Sequence, residues 1–309
     1  MPAMALTDLG NLFGLVKFYS GARGKGVKPI AGADVWIANP ESPDDAYRLL
    51  LLARNNAGYK QLCQLLSKAY LVEGRRDRAE LNRDWFGEVG CDGLIALSGA
   101  HLGDVGEALL NGNFDLAGQR AKAWEAIFPG AFYLEVQRYG QSQQEAIVQQ
   151  TADLAGETGI PLVATHPIQF MNRDDFRAHE ARVCIAEGYV LGDTRRPKLY
   201  TEEQYFKTQA EMAELFADLP EALENSLEIA KRCNITMTLG KNFLPDFPIP
   251  PGMTIGEYLV DEAEKGLEVR LAELYPDPEV RAQRRPEYDE RLIFECKTIL
   301  QMGFPGYFL

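Results

Sequence analysis

Histidine is scarce in this sequence. There are three in 309 residues, and none of His101, His166 or His179 stands in an HxH, HExxH or DxH spacing. No single segment therefore writes a metal centre, because such centres use those spacings to place several ligands on one face. Cysteine does not fill the gap. Cys63, Cys91, Cys184, Cys233 and Cys296 are odd in number and contain no CxxC pair, which suggests neither a cysteine-built zinc site nor a disulfide framework and fits a reducing cytoplasm. No run approaches the roughly 20 apolar residues needed to cross a bilayer, and no basic stretch followed by an apolar core opens the chain, so neither membrane nor export is expected. Positive charge is also in deficit: 32 Lys and Arg against 45 Asp and Glu give a net charge of −13. That is the wrong sign for a surface that grips phosphates, so nucleic acid would have to be held elsewhere. GxSxG, a P-loop and a strand-borne GxGxxG are absent; Gly21 to Gly26 is glycine-rich and basic but follows no strand, and is expected to be a surface loop.

The sequence does contain the material of a folded α/β protein, with 46% hydrophobic and 25% charged residues. Short apolar runs predict strands at Ala3 to Thr7, Pro29 to Ile37, Tyr47 to Ala53, Gly93 to Leu97, Ala131 to Val136 and Pro161 to Thr165. Their alternation with helical spacing predicts a parallel sheet or barrel. The clearest unit has Ile147, Val148, Thr151, Leu154 and Ala155 as a helical stripe, Gly159 as a stop, and a strand directly after it.

The last third reads differently. Asp218 is expected to cap a helix whose stripe is Leu219, Leu223, Leu227 and Ala230. The proline-rich run Phe243 to Gly252 cannot be helical and marks a domain boundary. Helices are then expected at Ile255 to Tyr275 and Glu287 to Met302, with Glu287 and Arg291 as an i, i+4 ion pair and Arg281, Arg284, Arg285, Asp289 and Glu290 on a solvated face. A strand at Met1 without a preceding crossover, and a last segment carrying Phe304, Tyr307 and Phe308, lead to the expectation that both ends are cut from something longer.

Reactive groups of a parallel barrel sit where strands end. Those positions hold Asp8, Asp34, Arg48, Ser98, His101, Glu135 and His166. Asp8 is expected to cap a helix from Leu9. Asp34 and Glu135 lie within apolar strands and need partners if buried, with Arg48 a candidate for Asp34. Ser98 and His101 share a loop, an arrangement that chance produces far more often than a catalytic triad does. His179 falls in a predicted helix, Asp174 to Ala186, as a surface or packing residue.

Several segments resemble the N-terminal region of the alpha subunits of bacterial DNA polymerase III. They are Ala5 to Tyr19, Lys28 to Asp34, Asn55 to Tyr59, Leu215 to Leu223, Arg284 to Leu292 and Met302 to Leu309. The resemblance implies a distorted (β/α)7 barrel of the polymerase and histidinol phosphatase (PHP) type over residues 1–235, lacking its first strand. It also implies a mainly helical connector and the start of a polymerase palm over residues 236–309. In metal-binding PHP relatives the six visible ligand positions would fall here on Leu9, Asp34, Arg48, Ala100, Pro167 and Gln169, and five of these cannot serve as ligands. The implied role is a degenerate, non-catalytic scaffold that docks the proofreading exonuclease subunit. Other holoenzyme subunits, DNA, magnesium and the catalytic aspartates would belong to the rest of the polymerase. A stand-alone PHP-type metal-dependent phosphoesterase is the alternative, and an interaction module without enzymology a third.

Overall fold

The computed structural model describes residues 1–72, 78–241 and 243–309. The chain divides into two units, Met1–Thr236 and Met237–Leu309.

In chain order the first unit contains β1 (Ala3–Leu6), α1 (Leu15–Gly24), β2 (Lys28–Ile37), β3 (Tyr47–Ala53), α2 (Asn56–Leu71), β4 (Glu80–Leu81) and α3 (Trp85–Val89). Then come β5 (Leu94–Leu97), α4 (Asp104–Leu110), α5 (Phe114–Ile127), β6 (Phe132–Gln137), α6 (Gln144–Thr158), β7 (Leu162–Thr165), α7 (Phe176–Glu187), α8 (Gln209–Leu215) and α9 (Pro220–Arg232). The six predicted strands are present. The short β4, two residues long, is the one the sequence pattern did not announce, because it offers no alternation to read.

The strands form one curled sheet in the order β1-β2-β3-β5-β6-β7, with β4 also on β2. The sheet is not wholly parallel as expected. β3 runs antiparallel to both β2 and β5, while the remaining pairings are parallel. The link between β2 and β3, residues 38–46, is too short for the crossover a parallel pair requires, so the chain turns back on itself. One side of β2 is shared: β1 pairs with its start and β4 with its end.

Helices cover the sheet around one apolar core. Trp124, Phe86 and Phe128 meet within it, with ring centroids 5.9 and 5.2 Å apart across the two edge-on contacts of Phe86. α6 buries Val148, Thr151 and Leu154 and stops at Gly159 with φ 75°, as its sequence predicts. The close approach of α2 to the turn before β5 depends on Gly58: a Cβ there would stand 1.7 Å from the Gly93 carbonyl oxygen.

Three local expectations fail for identifiable reasons. Asp8 caps no helix, because Leu9 bridges to Asp34 and the Gly10 N–H donates to the Asp34 carbonyl at 2.7 Å; α1 starts only at Leu15. Gly21 to Gly24 is not a surface loop but the last turn of α1. α9 has Leu219, not Asp218, at its N-cap, since Asp218 is engaged by Arg138 through bonds of 2.6 and 2.8 Å. Of its predicted stripe, Leu219, Leu223 and Ala230 do pack against the core, beside the buried Ala222 and Ile229, while Leu227 is exposed. His179, expected as a surface or packing residue, is a packing residue, buried against Phe170 and Tyr200.

The second unit contains α10 (Ile255–Leu274), α11 (Pro278–Met302) and α12 (Pro305–Phe308), and residues 243–250 have no regular secondary structure. α10 opens with a reciprocal Thr254–Glu257 capping box. α11 begins well before Glu287. Asp277 caps it, Pro278 fits its first turn, and Pro286 is carried inside the helix. The Glu287–Arg291 pair does not form; Arg291 binds Glu295 at 2.5 Å and Glu287 lies 3.5 Å from Arg284.

Candidate functional site

The polar residues predicted at strand ends gather at one end of the sheet, and β2 and β3 supply the first pair. Their register sets Trp36 opposite Arg48, which places Arg48 diagonal to Asp34 on the same face. The Arg48 guanidinium takes both Asp34 carboxylate oxygens, with Nε donating at 2.9 Å, and lies over the Trp36 ring at 4.6 Å. Burial raises the Asp34 carboxyl above its ordinary range, and Arg48 offsets part of that rise.

β6 contributes Glu135, which is almost wholly buried. Its Oε2 accepts the Gly99 N–H at 3.1 Å, and its Oε1 accepts from the Gln137 amide at 3.1 Å and from the Thr165 hydroxyl. Even so, the carboxyl is pushed up to about 7. Burial is the main cause, the nearby charge of Asp34 adds to it, and the hydrogen bonds oppose it. Ser98 is also buried and its Oγ accepts the Glu135 backbone N–H at 2.9 Å. It is therefore a structural hydroxyl. His101 faces Tyr139 instead, 3.2 Å from its hydroxyl, so no Ser–His pair exists.

The turn after β5 is locked in place. Gly99 has φ 77° and lies so close to Arg48 that a Cβ would come within 2.3 Å of the Arg48 carbonyl oxygen. The next residue, Ala100, is buried with φ 47°, a left-handed conformation that costs a non-glycine residue about 1 kcal/mol or more. Beyond β7, the His166 ring bonds to the Glu203 carbonyl at 2.9 Å while its buried Nδ1 makes no hydrogen bond among the described residues, and burial lowers its pKa. Gln204 pins the following loop: its side-chain amide donates to the Pro167 carbonyl at 3.3 Å, and its backbone carbonyl accepts the Gln169 N–H at 2.8 Å.

Leu9, Asp34, Arg48 and the Gly99–Ala100 turn are thus linked by direct contacts, and Glu135 joins them through Gly99. Pro167 and Gln169 sit on the next loop, tied to Gln204. Sequence reasoning did not single out Gln137 or Thr165, although both end their strands beside the buried carboxylate. A polar residue closing an apolar strand was the available signal.

Could this set hold a metal? Leu9 and Ala100 offer hydrocarbon, Pro167 has no side-chain donor, and Arg48 places a cation against the one carboxylate among the six positions. Among the described residues no three His, Cys, Asp or Glu side chains converge as a metal site requires. The residues do not fit a PHP-type metal cluster, and no hydrolytic step can be derived through one.

The arrangement and its sequence can be set beside known proteins. Residues 1–139 match the PHP domain family. Across its whole length the chain is 55% identical to the DNA polymerase III subunit alpha of Neisseria meningitidis serogroup A, covering 27% of that protein. It is 52% identical to the same subunit of Vibrio cholerae and 48% identical to that of Escherichia coli K12, again along all of this chain and 26% of each relative. The chain therefore spans about a quarter of the length of the curated relatives it matches.

Proposed function

We infer that this chain, a homologue of DNA polymerase III alpha subunits that carries their PHP domain at its N-terminal end, serves as the non-catalytic scaffold at the start of a replicative DNA-directed DNA polymerase. The observation that carries this reading is a conjunction. Identity of 48 to 55% runs along the entire chain, while Leu9, Arg48, Ala100, Pro167 and Gln169, which we assign to five of the six PHP ligand positions, include no carboxylate, imidazole or thiolate. A stand-alone phosphoesterase would need the side chains those residues replace, so that reading is not favoured.

On this proposal residues 1–235 are the scaffold and residues 236–309 lead into a palm. Nucleotidyl transfer, its magnesium and its DNA contacts belong to the remainder of the polymerase. The proposed partner of the scaffold is the proofreading exonuclease subunit, a protein contact to which the net charge of −13 is better suited than to DNA. Five free cysteines and a replicative role together argue for the cytoplasm. No helix among the described residues is long and apolar enough to cross a membrane.

The test has two arms on the purified chain: co-sedimentation with the proofreading exonuclease subunit, and hydrolysis of p-nitrophenyl phosphate with manganese or zinc added. A stable complex without metal-dependent turnover is expected. Turnover that rises with metal and disappears in Asp34→Asn would overturn the scaffold reading.

A further inference from the structure

Within the first unit, between β6 and α6, lies a cavity of about 220 Å³. Its walls come from the turn after β5, the end of α4, β6 and α6, all between Ala100 and Thr151, so no segment outside those residues is needed to form it. Leu110, Val136, Ile147 and Val148 give it apolar sides. Three glutamines supply polar groups, and each is held at only one end of its amide. Gln144 accepts the Tyr139 and Gly140 N–H groups at 2.6 and 3.0 Å, while its NH2 makes no hydrogen bond among the described residues. Gln137 donates to Glu135 and Thr165, and Gln141 donates to the Leu199 carbonyl at 3.2 Å; their two amide oxygens accept nothing among the described residues. The cavity is therefore lined by one unused amide donor and two unused amide acceptors.

Charge is nearly absent from the lining. Its two ionisable residues are Glu135, which already accepts from Gly99, Gln137 and Thr165, and His101, whose imidazole burial keeps neutral by lowering its pKa. No lysine or arginine lines it, so a carboxylate or phosphate would be enclosed without a counter-charge. Backbone strain gathers here as well. Among the described residues only Ala100 and Gln143 carry a side chain at positive φ, 47° and 66°. Ala100 belongs to the lining, and Gln143 stands between the lining residues Ser142 and Gln144. Conformations of this kind cluster where a ligand is clamped.

We propose that this cavity binds an uncharged, ring-sized molecule with an amide edge, the ring between the apolar walls, its carbonyl receiving the Gln144 NH2 and its N–H donating to a glutamine oxygen. Apolar walls with a few convergent polar groups are the usual make-up of a small-molecule site. The size is suitable, since an apolar cavity of about 150 Å³ already admits benzene. Nicotinamide and the pyrimidine base uracil both present a carbonyl beside an N–H on a single ring. The proposal is independent of the scaffold reading, because it rests only on the residues around the cavity.

Nicotinamide and uracil are the probes, with toluene and benzoate as controls of similar size that lack the amide edge or carry a charge. Saturation-transfer NMR titrations of the 309-residue chain should give at least one amide probe a Kd on the order of 1 mM, about fivefold or more tighter than either control. Which of the two binds more tightly tells a pyridine carboxamide from a pyrimidine base. Ser142→Trp, at an exposed lining residue, and Ile147→Trp, on α6, should each fill the cavity and weaken that binding about tenfold, with circular dichroism confirming that the fold is kept. Amide probes that bind no better than toluene or benzoate would overturn the proposal. Unchanged binding in a correctly folded Ser142→Trp or Ile147→Trp variant would do the same, since the ligand would then sit elsewhere.

Discussion

Charge is handled in opposite ways in the two units. In Met1–Thr236 acidic groups are drawn inside and matched there: Asp34 with Arg48, Glu180 with Arg196, and Asp104 with Arg83 and the Trp124 indole. In Met237–Leu309 the pairs lie on helix surfaces, mostly one turn apart, as with Lys265–Asp261, Arg270–Glu273 and Arg291–Glu295. Apolar burial follows the same division. Among the described residues the second unit fully buries only Leu259, Leu271 and Cys296 of its hydrophobic side chains, whereas the first has a continuous core. The first unit is thus held by contacts distant in sequence, each costly to lose. The second is held largely by local helix chemistry, where single contacts contribute little.

The sharpest way to break that contrast is to delete one apolar side chain from each unit. Trp124 is 1% exposed, packs on Phe86 and Phe128, lies under the Arg83 guanidinium at 3.8 Å and donates to Asp104 at 2.8 Å. Trp124→Ala should cost about 3–5 kcal/mol through cavity formation and the lost donor to a buried carboxylate. Ile293→Ala, at a site already largely in water, should stay within about 0.5 kcal/mol. Urea unfolding followed by far-ultraviolet circular dichroism measures both. Comparable losses would show that the second unit relies on its apolar contacts as much as the first.

Removing one member of the pair at the sheet end comes next. Asp34 and Arg48 keep 23% and 16% of their side-chain surface exposed, so a fully buried pair overstates the effect. Arg48→Ala should cost about 2–3 kcal/mol, because Asp34 is left without its counter-charge in a position that already disfavours ionisation. The double change Arg48→Ala with Asp34→Ala should recover most of that loss, and the coupling in this double-mutant cycle is the measured quantity. If the single and double variants were equally unstable, the attraction between the two groups would not be what holds this corner.

Much of the first unit was legible in sequence because its strands are apolar runs bounded by glycine, proline or polar residues, and its helices carry regular stripes. The Asp34–Arg48 partnership could be suggested from two charges inside such runs, although its geometry needed the β2–β3 register. What escaped was non-local. The reversed direction of β3 follows from a short link and from pairing partners far apart in the chain. Asp218 looked like a cap until Arg138, 80 residues away, competed for its carboxylate. The early start of α11 was hidden by Pro286, which lacks a backbone donor and reads as a helix breaker, yet is carried inside the helix. At the candidate site the ligand-poor composition was visible at once. The ring of bonds around Glu135 was not, because Gly99, Gln137 and Thr165 come from three different segments.

The smallest of the expected effects concerns that ring and depends on pH. Glu135 titrates at about 7 in the folded protein, against an ordinary value of 4.5. Between these values the native state holds a proton that the unfolded chain has released. Its contribution to stability is therefore fully present below about 4.5 and is lost as pH rises through about 7. Glu135→Gln keeps the shape and the capacity to accept the Gly99 N–H, but it removes the titration. The variant should gain on the parent by roughly 1–3 kcal/mol between pH 4.5 and pH 8, with most of the change falling between about 4.5 and 7 and little above it. Paired urea titrations across that range measure the difference directly. An identical pH slope in parent and variant would mean that the three donors around Glu135 fully compensate its burial, and that the inward-drawn charges of the first unit are matched without a proton.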